Sequence, residues 1–290
     1  DKKLLKTLNA TNGLNSSEIT NLYKDRQGQI WIAHNHGLNE VNTNNGSLLQ
    51  HEGEVDVTDL KQDDAGRIWI GTLSGVWILD TTTKLVKIVN TKNGLSGNTV
   101  NSMYVVNDKI CIVTDKGVDI ADWREKTIQH FGRPEGLPGN PLLITAEVPN
   151  DNTNNIWLLT NDNPGVGVDV LDLGKNIVQH LNVDHNLRET SLTGLGHDRQ
   201  GNIWLAYHTG GVVMIDALNK KISYLKDDPR MDEHYNKIVL GDAAGNVWIG
   251  TDKGIFVINA ARDSLTKLSV NEGLISDQII SLNEHRGQIY

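Results

Sequence analysis

The chain has 290 residues, 38% of them apolar and 22% charged, with a net charge of −9 at pH 7. That balance disfavours duplex nucleic acid and anionic membrane surfaces as partners, because both repel a net-acidic protein. A single cysteine, Cys111, rules out an intrachain disulfide and a thiolate zinc site, and apolar runs of four or five residues are too short to span a bilayer. Asp1 opens the sequence without a leader, which carries no information about location.

In chain order, one phrase keeps returning. It reads "DRQGQIWIAHNHG" from Asp25, "DDAGRIWIGTLSG" from Asp63, "DRQGNIWLAYHTGG" from Asp198 and "DAAGNVWIGTDKG" from Asp242. A degenerate copy, "DKICIVTDKGVDI", puts Cys111 in the tryptophan's place; "PNDNTNNIW" carries Trp157, and "HRGQIY" ends the sequence at Tyr290. Anchors at Trp31, Trp69, Cys111, Trp157, Trp204, Trp248 and Tyr290 are separated by steps of 38, 42, 46, 47, 44 and 42 residues. A period in the low forties signals a repeat architecture.

Each unit reads as four short runs alternating apolar and polar residues, bounded by Gly, Asn or Asp, with no sustained helical period. Asp-x-x-Gly fits a hairpin on a type I turn, with glycine in the left-handed bulge position. The expected fold is therefore all-β: a seven-bladed β-propeller of four-stranded antiparallel blades, one domain over 1–290. Inner strands are expected at 19–25, 56–62, 99–106, 142–148, 190–197, 236–242 and 278–284, with the tryptophans on second strands packing between blades. The last blade is incomplete, which predicts that the natural chain continues past Tyr290. "KKLLKTLNATNGLN" at the start matches "TKLVKIVNTKNGLS" (83–96), so an N-terminal outer strand is expected to complete that blade and remove its open edge.

"NGLSGNTVNSMYV" (93–105), "NGLNSSEITNLYKDRQGQIWIAHNHGLNEVN" (12–42) and "EGLISDQIISLNEHRGQIY" (272–290) resemble the two-component regulator propeller repeat. Blades three and four depart from it most: the third lacks both Trp and the Asp-x-x-Gly turn, and the fourth replaces that turn. The resemblance implies the periplasmic sensor region of an inner-membrane hybrid two-component histidine kinase. It further implies a homodimer, a downstream membrane helix and kinase module, and a ligand drawn from polysaccharide breakdown.

Chemistry beyond the repeat is sparse. The ten histidines show no His-Glu-x-x-His spacing, and the aspartate-rich turns lack the ligand run of a calcium loop, so neither metal nor cofactor is expected. Arginines are too few and too scattered for a sialidase. A ligand is expected on the loops joining second to third strands and one blade to the next, which carry no packing duty. The least repetitive of these supply Arg133, Glu135, Asn161, Asp162, Asn163, Asp184, His185, Arg188, Tyr207, His208 and Arg230. His34 and His36 share a loop in the first blade, where His34 and His208 hold equivalent positions. Such mixed polar groups suit an oligosaccharide, and the arginines among them would pair with an acidic one. A protein-interaction scaffold and a secreted propeller lyase are the two alternatives.

Overall fold

A computed structural model describes residues 8–11, 13–14, 16, 18–45, 47–52, 56–137, 146–147, 155–162, 165–181, 192–208, 211–216, 218–224, 236–285 and 287–290. The repeated phrase folds as one hairpin. Gly28, Gly66, Gly201 and Gly245 donate their N–H to the carbonyls of Asp25, Asp63, Asp198 and Asp242, each at 3.0 Å. These glycines have φ between 82° and 89°, a region that residues with a Cβ enter only at a cost. The aspartate does more than open the turn. Its Oδ1 accepts from the backbone N–H four residues on, at 2.7–3.0 Å. Its Oδ2 accepts from the tryptophan indole six residues on, at 2.7–2.9 Å.

Sheet one runs β1 (Ile19–Lys24), β2 (Ile30–His34), β3 (Gly37–Val41), β4 (Leu48–Glu52), and sheet two β5 (Val57–Gln62), β6 (Ile68–Thr72), β7 (Gly75–Leu79), β8 (Val86–Val89). Sheet three is β9 (Val100–Val106), β10 (Lys109–Thr114), β11 (Gly117–Asp122), β12 (Thr127–Phe131), and sheet four β13 (Ala146–Glu147), β14 (Asn155–Asp162), β15 (Gly165–Asp172), β16 (Ile177–Leu181). Sheet five is β17 (Leu192–His197), β18 (Ile203–Tyr207), β19 (Val212–Ile215), β20 (Ile222–Tyr224), and sheet six β21 (Asn236–Gly241), β22 (Val247–Thr251), β23 (Gly254–Ile258), β24 (Leu265–Leu268). All six are four-stranded antiparallel meanders in sequence order, the blades the repeat predicts. A two-stranded ribbon, β25 (Glu284–His285) with β26 (Gln288–Ile289), follows.

The chain falls into two compact units, one holding residues 1–135 and 140–142, the other 136–139 and 143–290. Sheets one to three lie in the first, where inner strands β1, β5 and β9 pack side by side; in the second, β13, β17 and β21 do the same. Between sheets, the large side chains fill the gap. Trp31 packs with Leu60 and Ile68, Trp69 with Met103 and Ile110, Trp157 with Leu195 and Leu205, and Trp204 with Val239 and Ile249. All four indoles are at most 1% exposed, which makes blade packing their role.

Sheet three shows how a blade dispenses with Asp-x-x-Gly. Asn107 and Asp108 sit at φ 45° and 65° between the paired residues Val106 and Lys109. That is a two-residue hairpin with both central residues left-handed, which Asn and Asp tolerate better than most. Third-to-fourth hairpins follow a second rule that the sequence reading passed over. Asn42, Asp80, Asp122, Asp172 and Asp216 cap the N–H groups two and three residues on. The residue four after the cap is left-handed at Lys84, Lys126, Asn176 and Lys220.

Two expectations need correction. The seventh inner strand, 278–284, does not form over that length. Among the described residues, Glu284 and His285 pair with Ile289 and Gln288, and Asn283 exchanges backbone hydrogen bonds with Tyr290 at 3.1 and 2.9 Å. The loop expected at 160–167 is shorter, since the ladder continues through Asn161↔Val166 and Asp162↔Gly165. The expected N-terminal outer strand lies largely in residues 1–7, outside the described residues.

Candidate functional site

The second-to-third loops of sheets two, three and six share one construction. Thr72, Thr114 and Thr251 end their strands, donate Oγ–H to the carbonyls of Gly75, Gly117 and Gly254 (2.8–3.1 Å), and accept from the N–H two residues on (3.0–3.2 Å). The hydroxyl is thereby locked inward, and the two residues between it and the glycine face out. In sheet one, His34 holds the threonine's place. Its Nδ1 accepts from His36 N–H at 3.1 Å and its Nε2 meets Asn39 Oδ1 at 3.0 Å.

His34 is 0% exposed, and burial holds its pKa below the ordinary imidazole value. The loop-histidine reading of His34 therefore gives way to a core residue with both ring nitrogens engaged. His36 is exposed, with its ring at 2.7 Å from Asn35 Oδ1; Asn35 in turn donates to Glu18 at 2.8 Å.

The remaining expected site residues scatter. Arg133 and Glu135 form an exposed 3-10 turn, in which Glu135 Oε2 accepts from Gly132 N–H at 2.7 Å as a local cap. Tyr207, three residues after Trp204 as His34 is after Trp31, holds the position expected of His208; it is 0% exposed in the core between sheets four and five, while His208 beside it is exposed. Asn161 and Asp162 sit on β14 rather than in a loop. Asn163, Asp184, His185, Arg188 and Arg230 lie outside the described residues.

Groups not singled out from sequence are better organised. On β11, Asp119 is buried. Its Oδ2 accepts from Ser96 N–H and Oγ–H (2.9 and 3.0 Å), and its Oδ1 from His130 Nδ1 (2.6 Å) on β12. Burial raises the Asp119 pKa, against the hydrogen bonds from His130 and Ser96. Sheet four repeats the pair, with His180 Nδ1 at 2.7 Å from buried Asp169 Oδ1. The signal was in the sequence: "GVDI" and "GVDV", each with a histidine eleven residues after its aspartate. Among the described residues, no group of three or more His, Cys, Asp and Glu is placed to hold a metal ion.

Residues 13–36 and 52–74 match the family model described as two component regulator propeller. The match falls on sheets one and two. No curated protein sequence matches the chain significantly. Among solved structures, an extracellular domain assigned to a hybrid two component system of B. thetaiotaomicron is 18% identical, with a TM-score of 0.64, over 88% of this chain and 37% of that one. PorZ, a surface component of the type-IX secretion system of Porphyromonas gingivalis, gives 12% identity and 0.68 over 99% and 46%. Virginiamycin B lyase from Staphylococcus aureus gives 12% and 0.62 over 87% and 84%. At these identities the likeness is one of fold. The chain spans little more than a third of the sensor-type structure it resembles.

Proposed function

We propose that this chain is the extracytoplasmic ligand-sensing region of a hybrid two-component regulator, periplasmic and homodimeric. It binds an oligosaccharide on its loops without turning it over, and relays to a kinase module across the membrane. The observation that carries this reading is the two-component regulator propeller match on residues 13–36 and 52–74. The likeness of fold to an extracellular two-component domain supports it.

The loops fit the role. Their strand-end threonines and His34 bond inward, so pairs such as Asn35–His36, Leu73–Ser74 and Asp115–Lys116 vary on an unvarying frame. A ligand shifts only an equilibrium whose states it binds differently, so signalling requires that binding favour one dimer arrangement. Thermal-shift titration with a panel of neutral and acidic oligosaccharides tests the reading. A saturable rise in unfolding temperature with the sugar recovered intact is expected. Recovery of a cleaved sugar would replace the sensor with a lyase, and no shift with any sugar would favour a protein-binding scaffold.

A further inference from the structure

At the interfaces between sheets, the third-to-fourth turn of one sheet sends a cation back onto its predecessor. Lys84 Nζ reaches Glu40 at 3.4 Å from sheet two to sheet one. Lys220 Nζ lies 4.2 Å from the Trp157 ring, from sheet five to sheet four. Arg262 lies 4.9 Å from the Trp204 ring and pairs with Asp198 at 2.8 Å, from sheet six to sheet five. The interface between sheets two and three breaks this rule. There the turn's Trp123 takes the place, meeting Trp69 edge-on at 5.7 Å and 85°. Lys126, left-handed like Lys84 and Lys220, is left at the rim.

The result is a cleft of about 280 Å³ between β8 and β12. Its floor is apolar, with Trp69, Ile112 and Ile128; Lys87, Trp123, Lys126 and His130 stand around it. Lys87 Nζ is 4.2 Å from the Trp123 ring. Among the described residues neither Lys87 nor Lys126 has a carboxylate partner. The nearby carboxylates are already engaged. Asp122 caps Arg124 and Glu125 and pairs with Lys109 at 3.4 Å, and Asp119 is held by Ser96 and His130. His130, anchored through Nδ1, keeps Nε2 for another partner and is 47% exposed. In a protein of net charge −9, two exposed ammonium groups without a carboxylate partner among the described residues thus stand beside the Trp123 ring, over which Arg67 also lies at 4.7 Å.

We propose that this cleft binds a small ring compound bearing one carboxylate. Lys87 and Lys126 take the charge, His130 Nε2 takes a hydrogen bond, and the apolar floor covers the ring, with Trp123 at its margin. The volume lies just below the ~300–1,000 Å³ of ordinary ligand pockets, which suits one ring better than a chain of them. Lysines serve as point charges here, so the carboxylate needs no bidentate geometry. The site goes beyond the glycan-binding loops proposed above, being on the flank between two outer strands.

Calorimetric titration of the full chain with glucuronate, cyclohexanecarboxylate and neutral glucose tests it, with the Trp123 indole resonance as a local reporter. At least one anion is expected to bind and shift that resonance, and glucose is expected to do neither. Binding of glucuronate alone supports a sugar acid as the source, and of cyclohexanecarboxylate alone a non-sugar acid. The variant carrying Lys87→Ala and Lys126→Ala should lose about tenfold or more in affinity with its unfolding temperature unchanged, since exposed lysines contribute little to stability. The proposal is overturned if neither anion binds, or if the double variant binds as tightly as the parent. A neutral oligosaccharide that stabilises parent and double variant alike would leave the sensor reading standing whatever happens to the cleft.

Discussion

Trp69 Nε1 donates to Asp63 Oδ2 at 2.8 Å, and the same carboxylate holds the Arg67 N–H at 3.0 Å and the Arg67 guanidinium at 2.7 Å. One side chain thus closes the hairpin and satisfies an indole that is otherwise sealed from water. Asp63→Ala orphans the indole and removes a buried charged acceptor, so a loss of about 2–4 kcal/mol is expected. Asp63→Asn keeps one acceptor and should lose less. Urea unfolding of both variants checks this, and an alanine variant within about 0.5 kcal/mol of the parent would refute the role. Trp157 is the internal control. Its buried indole nitrogen has no hydrogen-bond partner among the described residues; Asp151, six residues before it, lies outside them.

Much of this was legible. The period, the Asp-x-x-Gly turn and the inner strands β1, β5, β9, β17 and β21 all follow from local alternation and turn chemistry, and they fall within two residues of expectation. The indole bond was written in the constant spacing of Asp25–Trp31 and its copies, yet spacing alone does not say which atoms meet. His34 was misplaced because a histidine at a strand end looks like a loop ligand; only the comparison with Thr72, Thr114 and Thr251 exposes it as a turn acceptor. The cleft was invisible because Lys87 and Trp123 are far apart in sequence and meet only when two blades stack.

Arg262 joins sheet six to sheet five twice, through the buried carboxylate of Asp198 and over the Trp204 ring. Removing it leaves Asp198 with its backbone and indole donors but without its counter-charge. Arg262→Ala should cost about 1–3 kcal/mol, with Arg262→Lys intermediate because an ammonium cannot both pair and stack flat on the ring. The left-handed backbone there, φ 62°, adds a separate check: Arg262→Gly should be less damaging than Arg262→Ala. No loss in Arg262→Ala or Arg262→Lys, with a gain only in Arg262→Gly, would show that the turn, and not the cation, matters.

His34 makes stability depend on pH in a defined direction. Burial lowers its folded-state pKa, with the Asn39 hydrogen bond opposing and His36 adding to the effect. As pH falls through the ordinary imidazole value the unfolded chain takes up a proton that the folded chain refuses, so stability is lost on the acid side. The slope from this one group is at most about 1.4 kcal/mol per pH unit. His34→Thr installs the residue that three other sheets use, so the fold should persist and the loss between about pH 7.5 and about 5.5, either side of the ordinary imidazole value of about 6.5, should shrink. Some slope should remain, because burial also lowers the pKa of His51. An unchanged pH profile in His34→Thr would contradict the assignment.

Sheet three carries its own reporter. Cys111 is fully buried, and burial pushes its thiol well above the ordinary range, so both access and thiolate are withheld until the sheet opens. Labelling by a thiol reagent should therefore track opening of this blade, and it should be slow in the native state and fast in urea. Asn107 at φ 45° gives a way to load the blade locally. Asn107→Gly meets no steric penalty and should leave labelling nearly unchanged, whereas Asn107→Val forces a branched side chain into the left-handed region. That should cost about 1–2 kcal/mol and speed labelling by roughly five- to thirtyfold, if opening and closing are fast relative to the chemistry. Equal labelling rates in the two variants would mean that Cys111 is reached by a motion that leaves the Asn107–Asp108 hairpin intact.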